Sequence, residues 1–172
     1  MEESKKEVKA IENEENLVIK ELEVLSSINP KQAKKTKYLK IENQILNIDF
    51  SYLLSDFENL EILHFINCKL NDDSFCLCDI PSFRKLGFIR CELTSERFSK
   101  LLMSIDPYSQ PELLDLTGNK LGENPKFLIK FLKGYATLLN MGTLILSDNG
   151  LDENTILEIK DICQVNVGKV II

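Results

Sequence analysis

The segments PELLDLTGNKL at residues 111–121 and MGTLILSDNGL at residues 141–151 share one pattern of apolar and polar positions. In both, leucine stands at the fourth, sixth and eleventh positions and asparagine at the ninth. Segments 60–70 and 83–93 repeat the pattern with phenylalanine at the sixth position and cysteine at the ninth. Such self-similarity predicts a repeat architecture, in which each unit is too small to bury its apolar face alone.

Degenerate copies flank these four segments, at residues 39–46 and 167–172. The fourth-position residues of the six copies are therefore 24, 23, 28, 30 and 26 residues apart. Alternation around the fourth and sixth positions predicts a short strand with one buried face in each copy. The ninth position follows this strand, where an asparagine side chain can satisfy backbone groups of the turn and a cysteine fits as a small buried residue.

The pattern over roughly residues 38–172 resembles the leucine-rich-repeat family, and its longer units are similar to the ribonuclease-inhibitor-like branch. The resemblance implies an α/β solenoid, with a curved parallel sheet on the concave side and helices on the convex side. Thr94, Asn124 and Asp152 fit this arrangement as helix caps, because each precedes an apolar run with helical spacing. The resemblance is specific for the fold but not for the function, because members of one fold family act on many different partners.

Residues 3–28 carry apolar side chains at near-helical spacing among many Glu and Lys, and Asn29-Pro30 ends this pattern. We therefore expect an amphipathic helix, and divide the chain into a helical cap and linker at residues 1–37 and a repeat domain of about six repeats at residues 38–172. A cap of this kind covers the apolar end of a repeat array. The alternative is a coiled-coil or partner-binding arm.

The chain has a formal charge of -6 at pH 7, and the whole of it belongs to residues 38–172. This acidic balance argues against direct nucleic-acid binding, for which the short Lys31–Lys37 run is the only basic cluster. No apolar run approaches the roughly 18 residues of a membrane span, and the charged N-terminus is unlike a secretory signal. We therefore expect a cytoplasmic or nuclear protein with no membrane contact and with reduced cysteines.

Catalytic, cofactor and metal sites are not indicated. His64 is the only histidine, so every Ser-His or Cys-His scheme would depend on it. The pair Cys76 and Cys78 lacks the usual spacing of zinc ligands, and no glycine-rich phosphate-binding loop occurs. We therefore predict a protein that is not an enzyme and that needs no cofactor or metal.

The predicted binding surface is the concave face of the sheet, which the third, fifth and seventh positions of the copies form. It combines apolar residues with a polar rim, as protein-binding surfaces do. The predicted partner-binding residues are Tyr38, Lys40, Ile62, His64, Ile66, Lys85, Ile89, Arg90, Leu113, Asp115, Ile145 and Asp148. The alternative is that loops of the chain itself cover part of this face.

The strand predicted at residues 167–172 has no following element that could cover its edge. Because an uncovered edge exposes unpaired backbone groups, we expect a partner, a second copy or a longer native chain to cover Lys169, Val170, Ile171 and Ile172. The predicted function is a protein–protein interaction module, as an adaptor or a small subunit of a larger assembly. The alternative that the resemblance implies is a contact regulator of an enzyme, similar to ribonuclease inhibitors or GTPase activators. The lysine-, asparagine- and isoleucine-rich composition also leaves a parasite or bacterial effector open.

Overall fold

The computed structural model describes residues 11–13, 15–21, 27–46, 52, 54–70, 77, 84–103, 111–135, 141–164 and 167–172. The described strands are β1 (Ile11–Asn13), β2 (Asn16–Ile19), β3 (Tyr38–Glu42), β4 (Ile45–Leu46), β5 (Ile62–Ile66), β6 (Lys69–Leu70), β7 (Lys85–Ile89), β8 (Leu113–Asp115), β9 (Met141–Ile145) and β10 (Val167–Ile171). The described helices are α1 (Pro30–Lys35), α2 (Ser95–Met103), α3 (Lys126–Tyr135) and α4 (Glu153–Cys163), with a short 3-10 helix at Leu121–Glu123. The chain therefore has an α/β fold, as predicted.

The main sheet has eight strands in the order β1, β2, β3, β5, β7, β8, β9 and β10, and it does not close into a barrel. All neighbouring strands are parallel except β1 and β2. The strands predicted for all six copies are confirmed. Their register places the fourth positions of the copies opposite one another, as Leu63 opposite Leu86 and Leu114 opposite Leu144.

The helix predicted over residues 3–28 is wrong at residues 11–13 and 16–19, which form β1 and β2. Leu17 lies opposite Leu39 and Ile19 opposite Ile41 in the parallel pair of β2 with β3, and all four side chains are buried. A run as short as residues 16–19 fits a helical or a strand period equally well, and the edge of β3 offers it a complete set of backbone partners. The sheet therefore begins before residue 38. Residues 3–10, 14 and 22–26 of the predicted helix lie outside the described residues.

One apolar core lies between the sheet and helices α2 to α4. The fourth- and sixth-position side chains of the first five copies are buried there, together with one side of each of these helices. Phe65 and Phe88, at the sixth positions of neighbouring strands, stack with 4.8 Å between ring centroids. Phe98 of α2 meets Phe131 of α3 at 5.5 Å in the helix layer. Because the three helices share this core, they lie on one face of the sheet and leave the opposite face without a described helix.

Two of the predicted helix caps form as expected. Thr94 Oγ1 accepts a hydrogen bond from the backbone N–H of Arg97 at 3.3 Å, and the Asp152 carboxylate accepts one from the backbone N–H of Thr155 at 2.8 Å. Both bonds satisfy a backbone N–H group that has no partner inside the helix. The bonds to Thr155 also hold the pKa of Asp152 below its usual range.

Asn119, a ninth-position residue, is buried four residues after the end of β8 and bonds to backbone groups of two copies. Its Nδ2 donates to the carbonyl oxygens of Phe88 at 2.6 Å and Leu116 at 2.7 Å. Its Oδ1 accepts from the backbone N–H groups of Cys91 at 3.0 Å and Leu93 at 3.1 Å. The predicted role of asparagine at this position is therefore confirmed, and the bonds join adjacent copies where their strands end.

Cysteine occupies the same buried position in the two preceding copies. The thiol of Cys68 donates to the carbonyl oxygen of Ile41 at 3.4 Å, and that of Cys91 donates to the carbonyl oxygen of Phe65 at 3.4 Å. A hydrogen bond with Cys68, together with burial, raises the pKa of Cys91, so this thiol stays protonated. Cysteine thus replaces part of the hydrogen bonding of asparagine, since it supplies one weak donor and no strong acceptor.

Candidate interaction surface

The open face, as we call the face of the sheet opposite helices α2 to α4, carries the third-, fifth- and seventh-position side chains. The strand register aligns them in rows. The third row contains Tyr38, Ile62, Lys85, Leu113, Thr143 and Lys169. The fifth row contains Lys40, His64, Gly87, Asp115, Ile145 and Ile171, and the seventh row contains Glu42, Ile66 and Ile89. Every predicted partner-binding residue within a strand is half-buried on this face.

Two open-face residues within β2 were missed because this segment was expected to be helical. The register places Asn16 beside Tyr38 in the third row and Val18 beside Lys40 in the fifth row. Both are half-buried, while Leu17 and Ile19 between and after them are buried. This two-residue alternation was visible in the sequence, but only over four residues, which is too few to tell it from helical spacing.

Arg90 and Asp148 lie at the rim of the open face, Arg90 one residue after the end of β7 and Asp148 three residues after the end of β9. Both are exposed and both have left-handed backbone conformations, with φ of 55° and 58°. The stem of Arg90 crosses Gly118, where an added Cβ atom would lie 2.7 Å from Arg90 Cγ. Glycine at position 118 therefore leaves room for the start of the Arg90 side chain, and the residue as a whole is exposed.

His64 lies at the centre of the open face. Its ring makes a T-shaped contact with Tyr38, with 5.6 Å between centroids and 89° between planes. Toward β7, the ring occupies space beside Gly87, where an added Cβ atom would come within 2.8 Å of His64 Cδ2. Glycine at position 87 thus leaves the room that the histidine ring fills.

Burial lowers the pKa of His64. Asp115 on β8 raises it, while Lys85 on β7 and Lys40 on β3 lower it further, with a net lowering. The Lys40 ammonium group also pairs with the Glu42 carboxylate at 2.9 Å. At neutral pH the His64 ring is therefore uncharged, and it lies among two lysines and one aspartate.

We expect the stability of the protein to fall as the pH is lowered through the ordinary histidine pKa of about 6.5 toward the lower folded value of His64. In that window the unfolded chain binds a proton that the folded chain does not bind, so acid favours unfolding. Urea unfolding at about pH 7.5 and about pH 5.5 measures the loss. His64→Gln should make the loss smaller. Equal losses in both proteins would contradict this role of His64.

The terminal strand β10 pairs with β9 and with no other described strand. Among the predicted edge residues, Lys169 and Ile172 are exposed, while Val170 and Ile171 are half-buried. A cleft of about 440 Å³ lies beside them, lined by residues from the end of α4 and from β10. The outer edge of β10 therefore presents backbone groups that no described strand satisfies.

The described parts of the chain contain neither a cluster of metal-binding side chains nor a helix that could span a membrane. No group of three His, Cys, Asp or Glu side chains lies close enough there to hold a metal ion. Cys68, Cys91 and Cys163 are buried free thiols, whereas Cys76 and Cys78 lie outside the described residues. Within the described ranges, no helix is both long enough and apolar enough to cross a membrane.

No protein-family profile matches this chain, and no curated protein matches it.

Proposed function

We propose that this chain is a leucine-rich-repeat protein of the ribonuclease-inhibitor-like branch and acts as a non-enzymatic protein–protein interaction module. In this proposal it serves as an adaptor or as a small subunit of a larger assembly. The partner binds the open face, which is the concave face of the proposed solenoid, and contacts the edge of β10. Its cytoplasmic or nuclear location stays a prediction.

The strand order and the ninth-position row support the repeat assignment. From β3 to β10, each copy adds one parallel strand to the main sheet beside the strand of the preceding copy. Asn119 occupies the same ninth position as Cys91 one copy earlier. Each side chain donates a hydrogen bond to a backbone carbonyl group of the preceding copy. A chain built by adding equivalent units in one direction is the arrangement that a solenoid requires.

The observation that carries the binding role is the apolar content of the open face. Five apolar side chains of the open face are half-buried, and no described helix covers them. They are Ile62, Ile66, Ile89, Leu113 and Ile145. They are flanked by charged groups, including Lys85, Arg90 and Asp148. Apolar groups surrounded by a polar rim are the composition of a protein interface, because burying them releases water while the rim sets orientation.

The double substitution Ile66→Lys with Ile89→Lys tests the binding role. These neighbours in the seventh row point away from the core, so we expect folding to be retained while partner binding falls by about 100-fold or more, as for truncated interface hot spots. The measurement is affinity purification of wild-type and variant chains from the native cells with quantitative mass spectrometry, followed by calorimetry with the purified partner. Circular dichroism checks the fold.

Leu157→Lys is the matched control. Leu157 lies on α4, away from the open face, and its side chain is 58% exposed. This variant adds one lysine to the chain, where the double variant adds two, and it should keep the partner. A stoichiometric partner that remains bound to the double variant as strongly as to wild type would contradict the proposed use of the open face.

A further inference from the structure

The open face has an excess of basic groups from β2 to β7, although the whole chain has a formal charge of -6. Its charged side chains in this part are Lys20, Lys40, Glu42, Lys85 and Arg90. Glu42 lies between two lysines, 2.9 Å from Lys40 Nζ and 3.8 Å from Lys20 Nζ. Lys85 and Arg90 form no ion pair with any described residue. The first half of the open face therefore carries positive charge that the described part of the chain does not neutralise.

Lys85 is the central basic group of this half. It lies between Ile62 and Leu113 in the third row and is half-buried. The His64 ring, on the adjacent strand, makes no hydrogen bond to the described residues, so its N–H group is open to a ligand. A carboxylate that reaches Lys85 between apolar neighbours interacts more strongly than it would in water, because the local dielectric constant is lower.

On β5 and β7, Lys85 and the pair of isoleucines Ile66 and Ile89 lie in different rows. The third row offers Lys85, while the seventh row offers Ile66 and Ile89 four residues further along the strands, which is about 13 Å away. An extended peptide that runs along the fifth row, over Lys40, His64 and Gly87, points successive side chains toward opposite rows. Acidic side chains on one side would then meet Lys85, and apolar side chains on the other would meet the isoleucines.

We propose that the open face from β3 to β7 binds an extended acidic peptide segment of the partner, in which acidic and apolar residues alternate. One carboxylate of this segment binds beside Lys85 and His64, and its apolar residues pack on Ile66 and Ile89. The proposal rests on the proposed function. Asp115 in the fifth row marks the end of the acid-binding stretch, because it repels a carboxylate placed over β8.

A series of fluorescein-labelled peptides tests the charge preference with the full chain. The peptides alternate leucine with glutamate, with glutamine or with lysine, and fluorescence anisotropy at low and moderate salt measures binding. We expect the glutamate peptide to bind about tenfold or more tighter than the glutamine peptide, and to weaken with salt. The lysine peptide should not bind.

Lys85→Glu should weaken binding of the glutamate peptide by about tenfold or more, since it replaces an attraction by a repulsion. Lys130→Glu is the matched control, because Lys130 is exposed on α3, on the helix side of the sheet, and should change binding less than about twofold. Binding should also strengthen from about pH 7.5 to about pH 6, since a carboxylate beside His64 favours its protonation against Lys40 and Lys85. His64→Gln should remove this pH dependence.

Three results would overturn the proposal. These are equal binding of the glutamate and glutamine peptides, unchanged binding after Lys85→Glu, and preferential binding of the lysine peptide or of a single-stranded RNA oligomer. The double change at Ile66 and Ile89 separates this failure from that of the proposed function. If it releases the cellular partner while Lys85→Glu does not, the open face binds a protein but not through an acidic segment.

Discussion

Asn119→Leu is expected to lower the free energy of unfolding by about 3–5 kcal/mol, because it breaks a buried hydrogen-bond network. The substitution leaves the N–H groups of Cys91 and Leu93 and the carbonyl groups of Phe88 and Leu116 without their side-chain partners. These groups lie inside the protein, where water cannot replace the lost bonds without opening the structure. Urea denaturation followed by circular dichroism measures the change.

Asn119→Cys is the control for this prediction, since the chain itself uses cysteine at the same position in Cys68 and Cys91. The thiol of cysteine can still donate a hydrogen bond to one carbonyl group. Cysteine is also smaller than leucine, so it avoids a clash with the surrounding residues. We therefore expect Asn119→Cys to cost clearly less than Asn119→Leu. Equal costs would contradict this expectation, because they would mean that neither the remaining thiol donor nor the smaller volume of cysteine preserves any stability at this position.

Phe88→Ala is expected to lower the free energy of unfolding by about 3–5 kcal/mol through loss of packing. Phe88 has 0% exposure, and its ring stacks on Phe65 of the adjacent strand with 19° between planes. Truncation removes apolar surface that is fully buried and leaves a cavity between the sheet and the helices. Thermal and urea unfolding of the variant, compared with wild type, measure the loss.

Phe88→Leu provides the matched comparison, because the later copies already have leucine at the sixth position, as Leu116 and Leu146. A leucine fills most of the space, so its cost should be well below that of alanine. Phe127→Ala tests a partly exposed phenylalanine of α3, which is 38% exposed and should lose much less. A loss at Phe127 as large as that at Phe88 would contradict the assignment of the core.

The strand positions were predictable because each of the four complete copies places two large apolar residues two positions apart before an asparagine or a cysteine. Leu114 and Leu116 before Asn119 illustrate it, and all three are buried. The caps at Thr94 and Asp152 were predictable for a similar reason, since the choice of capping residue is a local preference. Patterns of this kind depend on neighbours along the chain, which the sequence contains in full.

The wrong prediction of a helix at residues 16–19 has the opposite cause, because the conformation there depends on residues that are distant in the chain. Residues 16–19 have no complete copy of the repeat pattern, and their spacing fits a helix as well as a strand. Their conformation depends on the free edge of β3, which supplies parallel partners over the whole run from Asn16 to Ile19. A segment whose local preference is weak takes the structure that satisfies its backbone groups.

For the six copies, the sequence by itself determined which face of each strand is buried and which residues belong to the open face, because alternation follows from the geometry of a strand. Only the tertiary structure decided which of those residues meet. The contact of His64 with Tyr38, the space beside Gly87 and the position of Lys85 without an ion pair depend on the register of three strands that lie far apart in the chain. The pKa of His64 likewise depends on charges from β3, β7 and β8. Long-range pairing brings these groups together, and no local preference encodes it.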